Sequence, residues 1–206
     1  MPEFDDEEYE SFDLDDVAPE VDEAEVDPDP EPDEDDDDDL EDAGEDEIDY
    51  VLAAYREDGQ VRVQDLGKDL ANDLDELIVQ LRRLPGDAGA LGFVSLVEEV
   101  FVIVRVRGQH VQAMLSDSTA ASDWPIARDV VDLLNEDVPE PADDEDDEGD
   151  PVGDLGMLAD LGLSEFELVA IIDDLDLSSD QMLQAIADKI MLNPQFARVA
   201  EAAFDA

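Results

Sequence analysis

Apolar residues dominate one long stretch of the chain, from Gly92 to Ser116, and inside it they recur at every second position. Val94 and Leu96, then Val100, Val102, Val104 and Val106, then Val111, Ala113 and Leu115 keep a period of two. That spacing places alternate side chains on one face of a β-sheet. Phe101 and Ile103 fill the opposite face of the middle segment. A strand apolar on both faces is central and covered from both sides. The pattern therefore predicts three consecutive strands, with 100–107 as the hub of a sheet packed by helices. Turns are expected at Glu98-Glu99 and at Gly108-Gln109, where a leading glycine suits a type II′ turn.

The same alternation begins earlier, at Ile48. Tyr50, Leu52 and Ala54 interleave with Val51, Ala53 and Tyr55, and Asp58-Gly59 separates this run from Val61 and Val63. Asp-Gly between alternating runs predicts a two-residue hairpin, because both central positions of a type I′ turn need positive φ. The period then changes to that of a helix over 68–84, with Leu70, Leu74, Leu77, Ile78, Leu81 and Leu84 on one stripe. Acidic residues lie early and Arg82 and Arg83 late, as the helix dipole favours, and Pro85-Gly86 ends the segment. After Ser116, Asp123 is the expected cap of a helix with Pro125 in its first turn and Ala127, Val130, Val131 and Leu134 facing the sheet.

The last fifty or so residues read as short helices. Asp154 to Leu161 forms a leading helix ended by Gly162. Ser164 with Glu167 and Ser178 with Gln181 are capping boxes, and Asn193-Pro194 opens a further helix. Behind these starts lie three apolar stripes: Leu168, Ile171 and Ile172; Met182, Ile186 and Ile190; Phe196, Val199, Ala200 and Ala203. The outline mimics a helix-turn-helix, but Lys189 and Arg198 are its only bases, too few to dock on phosphates.

Charge divides the chain further. The 206 residues carry a formal net charge of −54, from 64 acids against 10 bases. Residues 1–47 hold 28 of the acids and no Lys or Arg, and 136–150 hold 10 more. Low hydropathy with one-signed charge buries too little apolar surface to offset ordering entropy, so 1–47 is expected to be a disordered tail. The stretch 136–153, with Pro139, Pro141 and Pro151, reads as a linker. The expected architecture is α+β: a five-stranded, mainly antiparallel sheet with two covering helices over 48–135, followed by a small all-α bundle over 154–206. The folded part is still net −16, and a body that acidic repels nucleic-acid phosphate and anionic lipid. The start MPEFDDEEYE has neither a basic nor an apolar signal region, and no apolar run is long enough to span a bilayer, so a cytoplasmic protein without membrane contact is expected.

Three places stand out as candidate binding residues. Arg105 and Arg107 share the face of Phe101 and Ile103 and, with His110, form a small cationic patch for an acidic segment of a partner or of the chain's own tail. The ordinary alternative is pairing across strands or reaching to water. Trp124, the single tryptophan, either anchors a partner or belongs to the core. Phe4, Tyr9 and Phe12 interrupt the acidic tail, a composition able to fold onto a basic, apolar groove or simply to stay solvated.

Catalytic chemistry finds few reagents here. There is no cysteine and His110 is the single histidine, so thiolate catalysis and sulfur-ligated zinc are excluded. No G-x-S-x-G elbow, Walker A loop or G-x-G-x-x-G loop occurs. Asp144, Asp146, Glu148 and Gly149 copy the first half of a calcium loop, but the twelfth position is Leu155 where a bidentate Glu is needed. No cofactor or specific metal is expected.

The segments SDSTAASDWPIA (116–127) and VGDLGMLADLGLSEFEL (152–168), joined by an acidic, proline-containing linker, resemble the actinobacterial tRNA adenosine deaminase-associated protein family. The resemblance runs from residue 48 to about 200 and leaves the acidic tail outside. It implies a connection with a tRNA adenosine deaminase and assigns no functional residue. The chain is not itself read as that enzyme, whose zinc-bound water needs an H-x-E and P-C-x-x-C pattern, whereas His110 is followed by Val111 and Gln112. The expected function is a non-catalytic accessory protein that binds another protein, with the tail as a nucleic-acid mimic. The alternatives are a small carboxylate- or metal-dependent enzyme and a structural, solubilising module.

Overall fold

A computed structural model describes residues 40–86, 89–136 and 149–204. Six antiparallel strands form one sheet in the order β2-β1-β3-β4-β5-β6. They are β1 (Ile48–Glu57), β2 (Gln60–Asp65), β3 (Ala90–Leu96), β4 (Val100–Arg107), β5 (His110–Leu115) and β6 (Val152–Gly153). The predicted hub, β4, is buried along all but its last residue. Asp58 and Gly59 turn the first hairpin with φ of 52° and 75°, the double positive φ of a type I′ turn.

Both faces of the sheet are covered. On the first, Val94, Leu96, Val100, Val102, Val104 and Val106 pack with α1 (Leu74–Arg82) and α2 (Pro125–Leu134). α1 lies so close that a Cβ on Gly92 would stand 2.9 Å from Leu81 Cδ1. On the second face, Tyr50, Leu52, Phe93, Phe101 and Ile103 pack with the C-terminal helices. These are α3 (Glu165–Ile172), α4 (Ser179–Lys189) and α5 (Gln195–Phe204). α4 lies over β3 and β4, α5 lies over β1 and β2, and α3 rests on α4. Phe196 of α5 is fully buried, edge-on to Phe93 with centroids 5.1 Å apart and to Tyr50 at 6.3 Å.

Several expectations are revised. The sheet has a sixth strand, because Val152 and Gly153 pair with Leu115 and Met114; two residues carry no period to read. The helices expected as a separate bundle spread over the second face of the sheet, and the described residues from 40 onward form one compact unit. The predicted helix over 68–84 is a 3-10 turn at Lys68–Asn72 followed by α1. Asp73 breaks it, since its extended backbone lets the carboxylate accept from Glu76 N and cap α1. α2 is capped by Trp124 with no side-chain bond, while Asp123 closes the preceding 3-10 turn at Ser118–Ser122. In the 154–161 region only Ala159–Leu161 is helical, as 3-10. Both capping boxes form as read.

Candidate functional site

Three polar contacts pin the C-terminal segment to the sheet, and the first of them engages two of the charged candidates, Arg105 and Arg107. Arg105 points from β4 onto the second face and is 1 % exposed. Its guanidinium donates to the Met157 carbonyl and, as a fork, to the Asp160 carboxylate, with Nη2 2.8 Å from Oδ2. Arg107, half-exposed, stands 3.7 Å from the same carboxylate and donates to Gln112 Oε1 at 3.0 Å. Gln112 Nε2 in turn donates to Asp154. Hydrogen bonding from Arg105 holds the Asp160 carboxyl below the usual range, against the opposing effect of its own desolvation. Arg105 thus clamps the 154–161 turn of its own chain. His110 is exposed at the β4–β5 hairpin, opposite Arg107.

A second contact lies at the other end of the sheet. The Tyr50 hydroxyl donates to Asp180 Oδ1 at 3.0 Å, and Gln184 Nε2 donates to Oδ2 at 2.8 Å. Burial first, then the charge of Asp180, drives the phenol pKa far up, so Tyr50 stays neutral and serves as a donor. The third contact starts from a bulge in β1. Between Ile48 and Tyr50 the register with β3 shifts, which places Asp49 so that Oδ2 accepts from Ser95 Oγ at 2.8 Å and from Glu98 N at 2.9 Å. Ser95 Oγ and Ser179 Oγ lie 2.7 Å apart, and Ser179 N donates to the Glu98 carbonyl. This serine pair, with an aspartate beside it, orders the start of α4.

The remaining candidates separate. Trp124 is half-buried against the first core. Phe4, Tyr9 and Phe12, and the partial calcium loop up to Glu148, lie outside the described residues. Shallow clefts with acidic residues in their walls open on the surface of the described residues. One, of about 210 Å³, lies beside the α3–α4 turn among Glu99, Asp150, Asp173, Ile172, Leu175 and Met182. Another, of about 440 Å³, is edged by Glu98, Asp180 and Glu201. Sequence reasoning passed over both because their walls come from segments far apart in the chain. Among the described residues no group of three or more His, Asp or Glu side chains is arranged to hold a metal ion. No helix among them is long and apolar enough to cross a membrane.

Residues 49–193 match the family of Rv3753c-like tRNA adenosine deaminase-associated proteins, over well more than half of the chain. The chain belongs to this family. It is also 35 % identical to Protein Rv3753c of Mycobacterium tuberculosis, an actinobacterium, over 150 residues that make up 73 % of this chain and 86 % of that one. No solved structure matches. The family segment takes in all but the first residue of the sheet together with α1 to α4, so the clamp at Arg105 and the Tyr50 and Asp49 contacts all fall within it. The acidic tail lies outside.

Proposed function

We propose that this family member is a non-catalytic accessory protein that binds a tRNA adenosine deaminase in the cytoplasm. The observation that carries the reading is electrostatic: a formal charge of −54 on a chain whose family is described as associated with a tRNA-handling enzyme. An enzyme that grips tRNA presents Lys and Arg to phosphate, and a strongly acidic partner is attracted to that surface for the same reason that RNA is. Residues 40–47, expected as part of the tail, are held on the folded unit, with Ala43 buried and its N–H donating to Asn72 Oδ1 at 2.8 Å. It is therefore 1–39 that occupies the tRNA groove as a nucleic-acid mimic, steering association over long range and holding the enzyme until RNA competes. The polar side chains of the folded unit support this role, because Arg105, Tyr50, Ser95 and Ser179 are engaged in holding the fold together.

Calorimetric titration of the full chain into the tRNA adenosine deaminase of the same organism tests the proposal. Saturable binding at low ionic strength is expected, weakening steeply as salt rises toward ~0.2 M. tRNA should compete. Absence of binding at low salt overturns the proposal.

A further inference from the structure

α3 is too apolar for its position. Of its eight residues, Phe166, Leu168, Val169, Ala170, Ile171 and Ile172 are apolar, yet only Leu168 is fully buried. Phe166 is 82 % exposed and Leu175, in the turn that follows, is 76 % exposed. A helix apolar on all sides is normally enclosed, and two large side chains held in water within one short segment mark a surface made for contact.

The neighbourhood says what kind of contact. Ile172, Leu175 and Met182 form the apolar side of the 210 Å³ cleft, with Glu99, Asp150 and Asp173 facing them. Glu165, Asp174 and Asp176 are exposed along the same segment. No Lys or Arg lines the cleft among the described residues, and the base near α3, Lys189, is held by Glu167 at 2.9 Å. Its hydrogen bond brings the Glu167 carboxyl down to about 2, so Glu167 keeps its negative charge.

We infer that α3 and the α3–α4 turn are the docking surface for a basic amphipathic segment of a protein partner. Its large apolar side chains lie on Phe166, Ala170 and Leu175, and its Lys or Arg side chains enter the acidic cleft. Other occupants meet repulsion. Nucleic acid and anionic lipid oppose the carboxylates, and residues 1–39 are acidic without a single Lys or Arg. A second copy related by a two-fold axis would bring like rims together. The inference rests on the protein-binding role proposed above and names the surface that performs it.

The test uses the full chain, the tRNA adenosine deaminase, and a synthetic Leu/Lys amphipathic helix with a Leu/Glu helix as control. The paired substitution Phe166→Ser and Leu175→Ser removes exposed side chains, so circular dichroism should be unchanged. The expected result is a loss of roughly tenfold or more in affinity for both the deaminase and the Leu/Lys helix. If the paired variant binds the deaminase as the unaltered chain does, the accessory role stands and the α3 surface is overturned. If the deaminase is not bound at all while the Leu/Lys helix binds and the variant loses it, the deaminase reading fails and the surface stands. Equal binding of the Leu/Glu helix removes the electrostatic half of the inference and overturns it. Phe166→p-benzoylphenylalanine with photo-crosslinking identifies the occupant: a cross-link to the partner supports the inference, whereas one to a second copy or to residues 1–39 overturns it.

Discussion

The two faces of the sheet are closed by different means. The first is aliphatic, with six valines and leucines of β3 and β4 meeting Leu74, Leu77, Ile78 and Leu81 of α1 and Ile126, Val130 and Val131 of α2. Its covers are local in sequence, α1 joining β2 to β3 and α2 following β5. The second is aromatic, built on Tyr50, Phe93, Phe101 and Phe196, and its cover arrives only after the acidic linker. Short connections limit where α1 and α2 can lie. A cover that comes from far along the chain lacks that constraint, and here polar contacts at Arg105, Tyr50 and Ser95 set its position. Apolar burial supplies the attraction, and the pins select one placement among several that would bury similar area.

The largest effect is expected from Phe196→Ala, which empties the contact with Tyr50 and Phe93 and should cost about 3–5 kcal/mol. Chemical denaturation measures it, and a cost well below that range would mean that α5 contributes little to the second face.

The clamp at Arg105 gives an asymmetric pair of outcomes. Asp160→Ala leaves a buried guanidinium without its counter-charge and should cost about 2–3 kcal/mol, softened because the Asp160 side chain is half in water. Arg105→Met removes the charge and fills the space, so its cost should stay below about 1 kcal/mol. Equal losses would show that packing, rather than charge, sets the energetics. The pair also predicts an acid limb. Asp160 titrates below its unfolded value, so the stabilisation is complete above about pH 4 and drains away as pH falls through the lower folded-state pKa. Against the general relief of repulsion as 64 acids protonate, the stability difference between the unaltered chain and Arg105→Met should move toward the variant at low pH.

Tyr50→Phe comes next. Asp180 keeps its bond from Gln184, so losing the phenol donor should cost about 1 kcal/mol. The smallest effect belongs to the first face, where Asp129 of α2 is half-buried and accepts from Leu74 N at 3.3 Å. Burial, then repulsion from Asp73, Asp75 and Asp132, raises its pKa. A raised carboxyl costs stability at neutral pH and returns it as pH falls through the folded-state value. Asp129→Asn keeps an acceptor and should stabilise by a few tenths of a kcal/mol at neutral pH, vanishing in acid.

The sheet was legible in sequence because β-branched residues at period two announce both the strand and its buried faces, as Val100 to Val106 do. Local caps were legible too, since Ser164 with Glu167 and Ser178 with Gln181 sit three residues apart. What a helix packs on was not. The stripe of Met182, Ile186 and Ile190 says that a face is buried, and nothing in it points to β3 and β4 rather than to neighbouring helices. Arg105 read as a surface cation because its partner stands 55 residues away. Asp73 was hidden inside a continuous leucine stripe, where the period masked the competing cap. The excess apolar surface of α3 can be seen only once it is known how little of it the fold covers.

One experiment reaches the central claim, that both covers share a single sheet within one cooperative unit. Trp124 packs against the first core, so its fluorescence reports that side while far-UV circular dichroism reports the whole. In guanidinium unfolding of the unaltered chain and of Phe196→Ala, the two signals should coincide and shift together, although the substitution lies on the opposite face. A Trp124 transition that stays in place while part of the dichroism moves would contradict the account and restore two independently folding units.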